Sequence, residues 1–186
     1  MNVTNSTIKQ HGNFTVEFAI IGVVLSLLFV FSGDVIIKLA HKGKLDRLSY
    51  SLVDIIKERT QLYNENYELK DENVNTIINI ARSSLKRTLG SFDAQQFGYV
   101  VEAVTFDAVQ QPTYRVFPTG NNVVSAIRCQ TRQSLGEMTH LSKITTWGRR
   151  ATLYRVTLCY ETDNWIGDLL GTEFTRVQSD AVIIGR

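Results

Sequence analysis

Sixteen consecutive residues, 18–33 of a 186-residue chain, carry no charge. Wound as a helix they extend ~24 Å, short of the ~30 Å hydrocarbon core of a bilayer. Counting from residue 14 to residue 37 reaches that thickness, and it encloses Glu17 and Asp34 at the two ends. A carboxylate at the bilayer centre is opposed by ~2.5–3.5 kcal/mol, so acids are tolerable only near the edges. The stretch therefore reads as one membrane segment with acidic ends, and an ordinary anchor has no use for Glu17.

Three readings compete for this segment. A secretory signal peptide has a basic leader and a small-x-small cleavage site after the apolar run. Here only Lys9 precedes the run, and Phe31 stands where a small residue belongs. A plain single-span anchor fits the length but leaves Gly12 and Glu17 unexplained. The third reading is a chain that uses the glutamate. The whole chain, with 44% hydrophobic residues, 20% charged and two prolines, has the composition of one folded unit plus an apolar appendage. A net charge of +2, without a basic stripe interleaved with aromatics, argues against a nucleic-acid partner.

The string "GNFTVEFAIIG", with Gly12 followed by Asn13, Glu17 and Phe18, resembles the processing site of type IV prepilins. In those proteins a short polar leader ends in glycine, and glutamate is the fifth residue of the mature chain. The "VEFA" form is similar to the TadE/TadF pseudopilins of tight-adherence, or Flp, pilus systems. "GDVIIKLAHKGKLDRLSYSLVDIIKERTQLY" is most similar to TadF. The resemblance implies a leader, residues 1–12, cut by a prepilin peptidase between Gly12 and Asn13, so that the apolar run stays with the mature protein. It further implies three protein partners beyond that peptidase: a sibling pseudopilin, the major Flp pilin and an inner-membrane assembly platform. It places the leader in the cytoplasm and the distal domain outside.

Residue chemistry suits that expectation. Glycine offers no side chain to collide with a protease acting on an extended backbone. Cleavage would free an α-amine on Asn13, four residues before Glu17 and on the same helical face. In a single helix such a pair contributes only tenths of a kcal/mol. Between neighbouring helices in an apolar setting, an unanswered Glu17 would cost far more, so the pairing would fix the stagger between subunits. The competing reading is a boundary glutamate that snorkels to water.

Beyond the membrane part, residues 13–40, Leu45, Leu48, Leu52, Ile55, Ile56, Leu62 and Tyr63 recur at helical spacing. They predict a stalk, residues 41–68, continuous with the membrane helix, although Gly33 and Gly43 are places for a bend; a coiled-coil stalk has the same pattern. A second helix is expected within residues 69–90, N-capped by Asp71, buried through Val74, Ile77, Ile78, Ala81, Leu85 and Leu89, and stopped at Gly90.

The period then changes to two. Residues 99–106, 123–129, 151–160 and 176–184 read as strands, with a turn at 119–122, making residues 91–186 a mainly antiparallel sheet domain. The expected class is α+β: a pilin-like long N-terminal membrane helix, a second helix and a sheet head. Cys129 and Cys159 both fall on expected strands; an extracytoplasmic location would favour a disulfide, a reducing one two buried thiols.

Lys38, Lys42, Lys44 and Arg47 follow the span while only Lys9 precedes it, which by the positive-inside rule alone would keep the head in the cytoplasm. The resemblance implies the reverse orientation, because a dedicated peptidase reads the leader. The same basic stretch suits contact with anionic membrane lipid. His11, His41 and His140 show no metal-ligand spacing, and no glycine-rich phosphate loop or G-x-S-x-G occurs. Pairing Cys129 with His140 as nucleophile and base has only chance in its favour. Neither cofactor nor catalysis is expected. The rival to a pilus role is a plain single-span protein with an extracytoplasmic binding domain.

Overall fold

The computed structural model describes residues 13–62, 69–118, 127–163, 167, 171 and 175–185. The chain forms α1 (Asn13–Leu62), α2 (Asp71–Thr88), β1 (Phe97–Phe106), β2 (Pro112–Phe117), β3 (Leu153–Glu161) and β4 (Arg176–Ile184). This is the α+β layout expected: a long apolar helix, a second helix and an antiparallel sheet.

The helix α1 passes Gly33 and Gly43 without a break, so its 50 residues give a rod ~75 Å long. Its buried face in the head is Leu45, Ser49, Leu52, Val53 and Ile56. That differs from the expected stripe at one place: Ile55 is exposed, and Val53, on the other flank of Leu52 and Ile56, takes the core position. Expected contributors Leu62 and Tyr63 fall outside the described side chains.

The second helix buries Val74, Ile77, Ile78, Ala81 and Leu85, as its 3.6-residue period requires. Its N-cap is Lys70, with no side-chain cap, and Asp71 is the first helical residue, so Asp71 acts through the helix dipole instead of as the cap. At the other end the Lys44 ammonium donates to the Thr88 carbonyl at 2.6 Å. A cation from α1 thus closes the C-terminus of α2, where the dipole favours it.

The sheet has the order β2-β1-β3-β4, and all three pairings are antiparallel. Strand alternation sorts its residues onto two faces. Phe97, Tyr99, Val101, Tyr154, Val156, Leu158, Tyr160 and Val177 join Leu45, Leu52, Ile56 and the α2 stripe in the main core. The opposite face carries Val104 and Leu153, which pack with Leu135 in a smaller core. Residues 127–152 cross this second face as a strap, including a 3-10 turn at Leu135–Leu141. Two corrections follow. Ile127, Arg128 and Cys129 are irregular and not part of a strand, while 123–126 and the turn at 119–122 lie outside the described residues. Strand β2, which alternation in the sequence did not reveal, pairs with β1 from Val101↔Phe117 to Phe106↔Pro112.

The helix climbs the sheet in a defined direction. His41 stacks on Tyr160 near the C-terminal end of β3, with centroids 5.7 Å apart. Two turns later Ser49 meets Ser179 at 3.1 Å, and Ser179 is registered opposite Leu158. The end of the sheet holding Tyr160 is therefore nearest the membrane segment, and the Leu153 end is farthest away.

Candidate assembly surface

The apolar half of α1 is bare: every described side chain from 14 to 32 is exposed, whichever way it faces around the helix. Phe14 is 76% exposed and Phe29 is 75% exposed. An isolated helix of this composition would be untenable in water, where large apolar patches drive association, but it matches a lipid or helix-packed setting. Among the described residues this is the one helix long and apolar enough to cross a membrane.

At its start the structure brings together part of the expected site. Gly12 lies outside the described residues. Asn13 is the first residue of α1, and Glu17 stands one turn along it, exposed. Phe18, adjacent to Glu17, stacks on Phe14 with ring centroids 6.4 Å apart. The geometry at 13 and 17 is thus helical, as a same-face pairing requires.

The boundary between exposed rod and packed rod is Asp34, which is buried and bonded to Lys38 Nζ at 2.6 Å, one turn on. This pair, with the Lys44 cap, accounts for two of the four cations that follow the span. At the same junction His41 stacks on Tyr160, and burial first, then the Lys44 charge, holds its imidazole below the ordinary histidine pKa.

Two other features hold the head together. Cys129 and Cys159 are joined by a disulfide with Cα atoms 5.6 Å apart. Gly98 is registered opposite Cys159, and a Cβ there would come within 2.3 Å of the Ile127 carbonyl oxygen and 2.8 Å of Cys159 Sγ. Glycine at 98 is what lets the strap lie flat on β1. Cys129 therefore has no thiol to act as a nucleophile with His140, which is exposed at the end of the 3-10 turn.

The second feature escaped the sequence reading. Glu102 and Arg155 are cross-strand neighbours, 1% and 5% exposed, and form a salt bridge. The Glu102 carboxylate also accepts from Tyr114 Oη at 2.5 Å and from the Leu135 backbone N–H at 3.1 Å. Arg155 donates to the Gln133 carbonyl at 2.7 Å. Burial and the bond to Glu102 push the Tyr114 hydroxyl up to about 12. Each buried charge is thus answered, and their remaining bonds fasten the strap. A usable signal was present: "VVEAV" and "LYRVT" each place one charge, of opposite sign, in the middle of an apolar strand.

A long exposed membrane-type helix, whose second half is built into the core of a small antiparallel head, defines a single-span membrane protein of pilin-like layout. The family model TadF, tight adherence pilin protein F, matches residues 5–186. The chain belongs to that family and is a component of a tight-adherence pilus. Its family is one of structural pilus subunits, which work by contact with other pilus components and the membrane assembly machinery. No curated protein and no solved structure matches the chain.

Proposed function

We propose that this protein is a minor pilin-like subunit, cut between Gly12 and Asn13 by a prepilin peptidase, and that it supports pilus biogenesis through lateral packing of α1. The observation that carries the reading is the bare apolar half of α1, helical from Asn13 and continuous with the rod gripped by the head. A helix exposed on all sides exchanges lipid contacts for contacts with another helix at little cost, because both are apolar. What then selects one arrangement is the polar pair: the Asn13 α-amine of one subunit answering Glu17 of its neighbour, with every other stagger leaving a carboxylate alone in an apolar layer. The partners are the prepilin peptidase, a sibling pseudopilin, the major Flp pilin and the inner-membrane platform.

The head faces away from the cytoplasm in this proposal. The Cys129–Cys159 bond supports that side, since cytosolic thiols keep such cysteines reduced. The positive-inside argument weakens because Lys38 is matched by Asp34 within one turn. Sequencing the mature N-terminus from cells that hold the peptidase tests the proposal. Asn13 as the first residue is the expected result; an uncut chain in piliated cells refutes the processing and leaves an ordinary single-span protein.

A further inference from the structure

The end of the head farthest from the membrane segment carries a rigid, exposed aromatic knob. Residues 143–151 form a tight hairpin: Ala151 N–H donates to the Lys143 carbonyl at 2.9 Å, Thr145 N–H to the Arg149 carbonyl at 2.8 Å, and Gly148 N–H to the Thr145 carbonyl at 2.9 Å. The Thr145 hydroxyl reinforces the Arg149 contact at 2.9 Å, and Gly148 takes the positive φ of 74° that closes the turn. The base is fixed by Ser142, whose hydroxyl donates to the Ala151 carbonyl at 2.7 Å, and by Arg150, stacked over Phe106 at 5.6 Å.

What this scaffold displays is unusual for a water-facing turn. Trp147 is 88% exposed and Ile144 is 62% exposed. At the same end of the sheet, past the Phe106 that Arg150 covers, the β1–β2 loop presents Val109, and the Asp107 carboxylate there accepts from Val109 N–H at 2.9 Å and Gln111 N–H at 2.7 Å. The apolar knobs are flanked by Lys143 and Arg149, both exposed and neither salt-bridged among the described residues. Leu153 and Tyr160 are seven strand steps apart, so the tip stands at least ~23 Å beyond the membrane-proximal end of the sheet.

We propose that this tip docks on an anionic lipid surface other than the membrane that holds α1. The shape favours insertion over reception: cavities of about 580 and 430 Å³ lie at Leu69–Asp71 with Tyr114–Phe117 and on the outer face of α2, and neither reaches the hairpin. A convex knob needs a deformable recipient. Indole rings settle at the level of lipid headgroups, Ile144 and Val109 add apolar contact below, and Lys143 and Arg149 meet the phosphates. Two copies of the tip would repel one another, which disfavours self-pairing through the same surface.

The test uses the full chain reconstituted in vesicles of neutral phosphatidylcholine. Fluorescent second vesicles, made of phosphatidylcholine alone or of equal parts phosphatidylcholine and phosphatidylglycerol, are mixed in, and their capture by the outward-facing heads is measured. Capture of the anionic vesicles and not the neutral ones is expected. Trp147→Ala should lower it by at least about tenfold, from lost apolar burial. Lys143→Gln with Arg149→Gln should lower it roughly thirtyfold, about fivefold per cation. These residues sit outside both cores, so the variants should keep the near-ultraviolet dichroism of the head. Equal capture of neutral vesicles, or capture indifferent to Trp147→Ala or to the double substitution, overturns the proposal. So does soluble poly-glutamate that competes as well as the anionic vesicles in a Trp147-dependent way, because the tip would then be a site for acidic polypeptide.

Discussion

Glu102→Gln should be the most damaging single substitution in the head that leaves side-chain volume unchanged. The wild-type carboxylate satisfies three groups at once: the Arg155 guanidinium, the Tyr114 hydroxyl and the Leu135 N–H. An amide keeps one acceptor oxygen but brings no negative charge, so Arg155, 5% exposed, becomes a buried cation without a counterion. Breaking a buried pair from one side costs about 3–5 kcal/mol, a large share of the ~5–15 kcal/mol that holds a domain folded. For a chain of this size that is a fall in Tm of roughly 6–20 °C. Tyr114→Phe removes only one bond to a charged acceptor and should cost about 1.5–3 kcal/mol. The double change Glu102→Leu with Arg155→Met should recover part of the loss, leaving mainly the Leu135 N–H without a partner. The assay is thermal unfolding of the full chain in neutral micelles, followed by near-ultraviolet dichroism so that the membrane helix does not dominate the signal. A fall below about 3 °C for Glu102→Gln, or a double variant worse than either single one, would refute the buried-pair argument.

Opening the disulfide should cost about 3.5 kcal/mol on the chain-entropy estimate for its separation of 30 residues, read as a lower Tm in reductant. Gly98→Ala should destabilise the oxidised head more than the reduced one, since the new methyl meets Ile127 and Cys159 Sγ, and equal losses in both states would contradict that placement. His41 has a folded pKa held below 6.5, so the stability it contributes is full above pH 6.5 and drains away as pH falls through its folded value. Unfolding midpoints taken between pH 7.5 and 5 should therefore decline, and His41→Gln should flatten that slope. Glu17→Val should leave membrane insertion intact while piliation, counted by electron microscopy, drops; normal pilus numbers would remove the pairing argument.

The two helices were legible from helical spacing and apolar run length, β1 and β3 as β-branched and aromatic runs buried on both faces, and β4 as a strand with one better-buried face. The α2 stripe from Val74 to Leu89 is the clearest case: each expected core position is buried. On α1 the pattern gave the core side but took Ile55 for Val53: the two stand 200° apart around the axis, on opposite flanks of the buried Leu52 and Ile56, and the partner surface decides which flank is covered. Strand β2 was hidden because five of its six residues are exposed, so it has no alternation to read. Cys129 was taken for a strand residue because the run before it is apolar, whereas the disulfide and Gly98 hold it against β1 from outside the ladder. The Glu102–Arg155 pair was visible as two misplaced charges, but only strand register shows that they face one another.

Because Leu45, Ser49, Leu52, Val53 and Ile56 belong to the same uninterrupted rod as Phe14 and Glu17, the head cannot swivel independently of its anchor. Screwing the rod along a neighbour by a single residue raises it 1.5 Å and spins it 100°. Vertical offset and azimuth are therefore one variable, and a lock chosen in the bilayer would also choose which flank of each head meets the next.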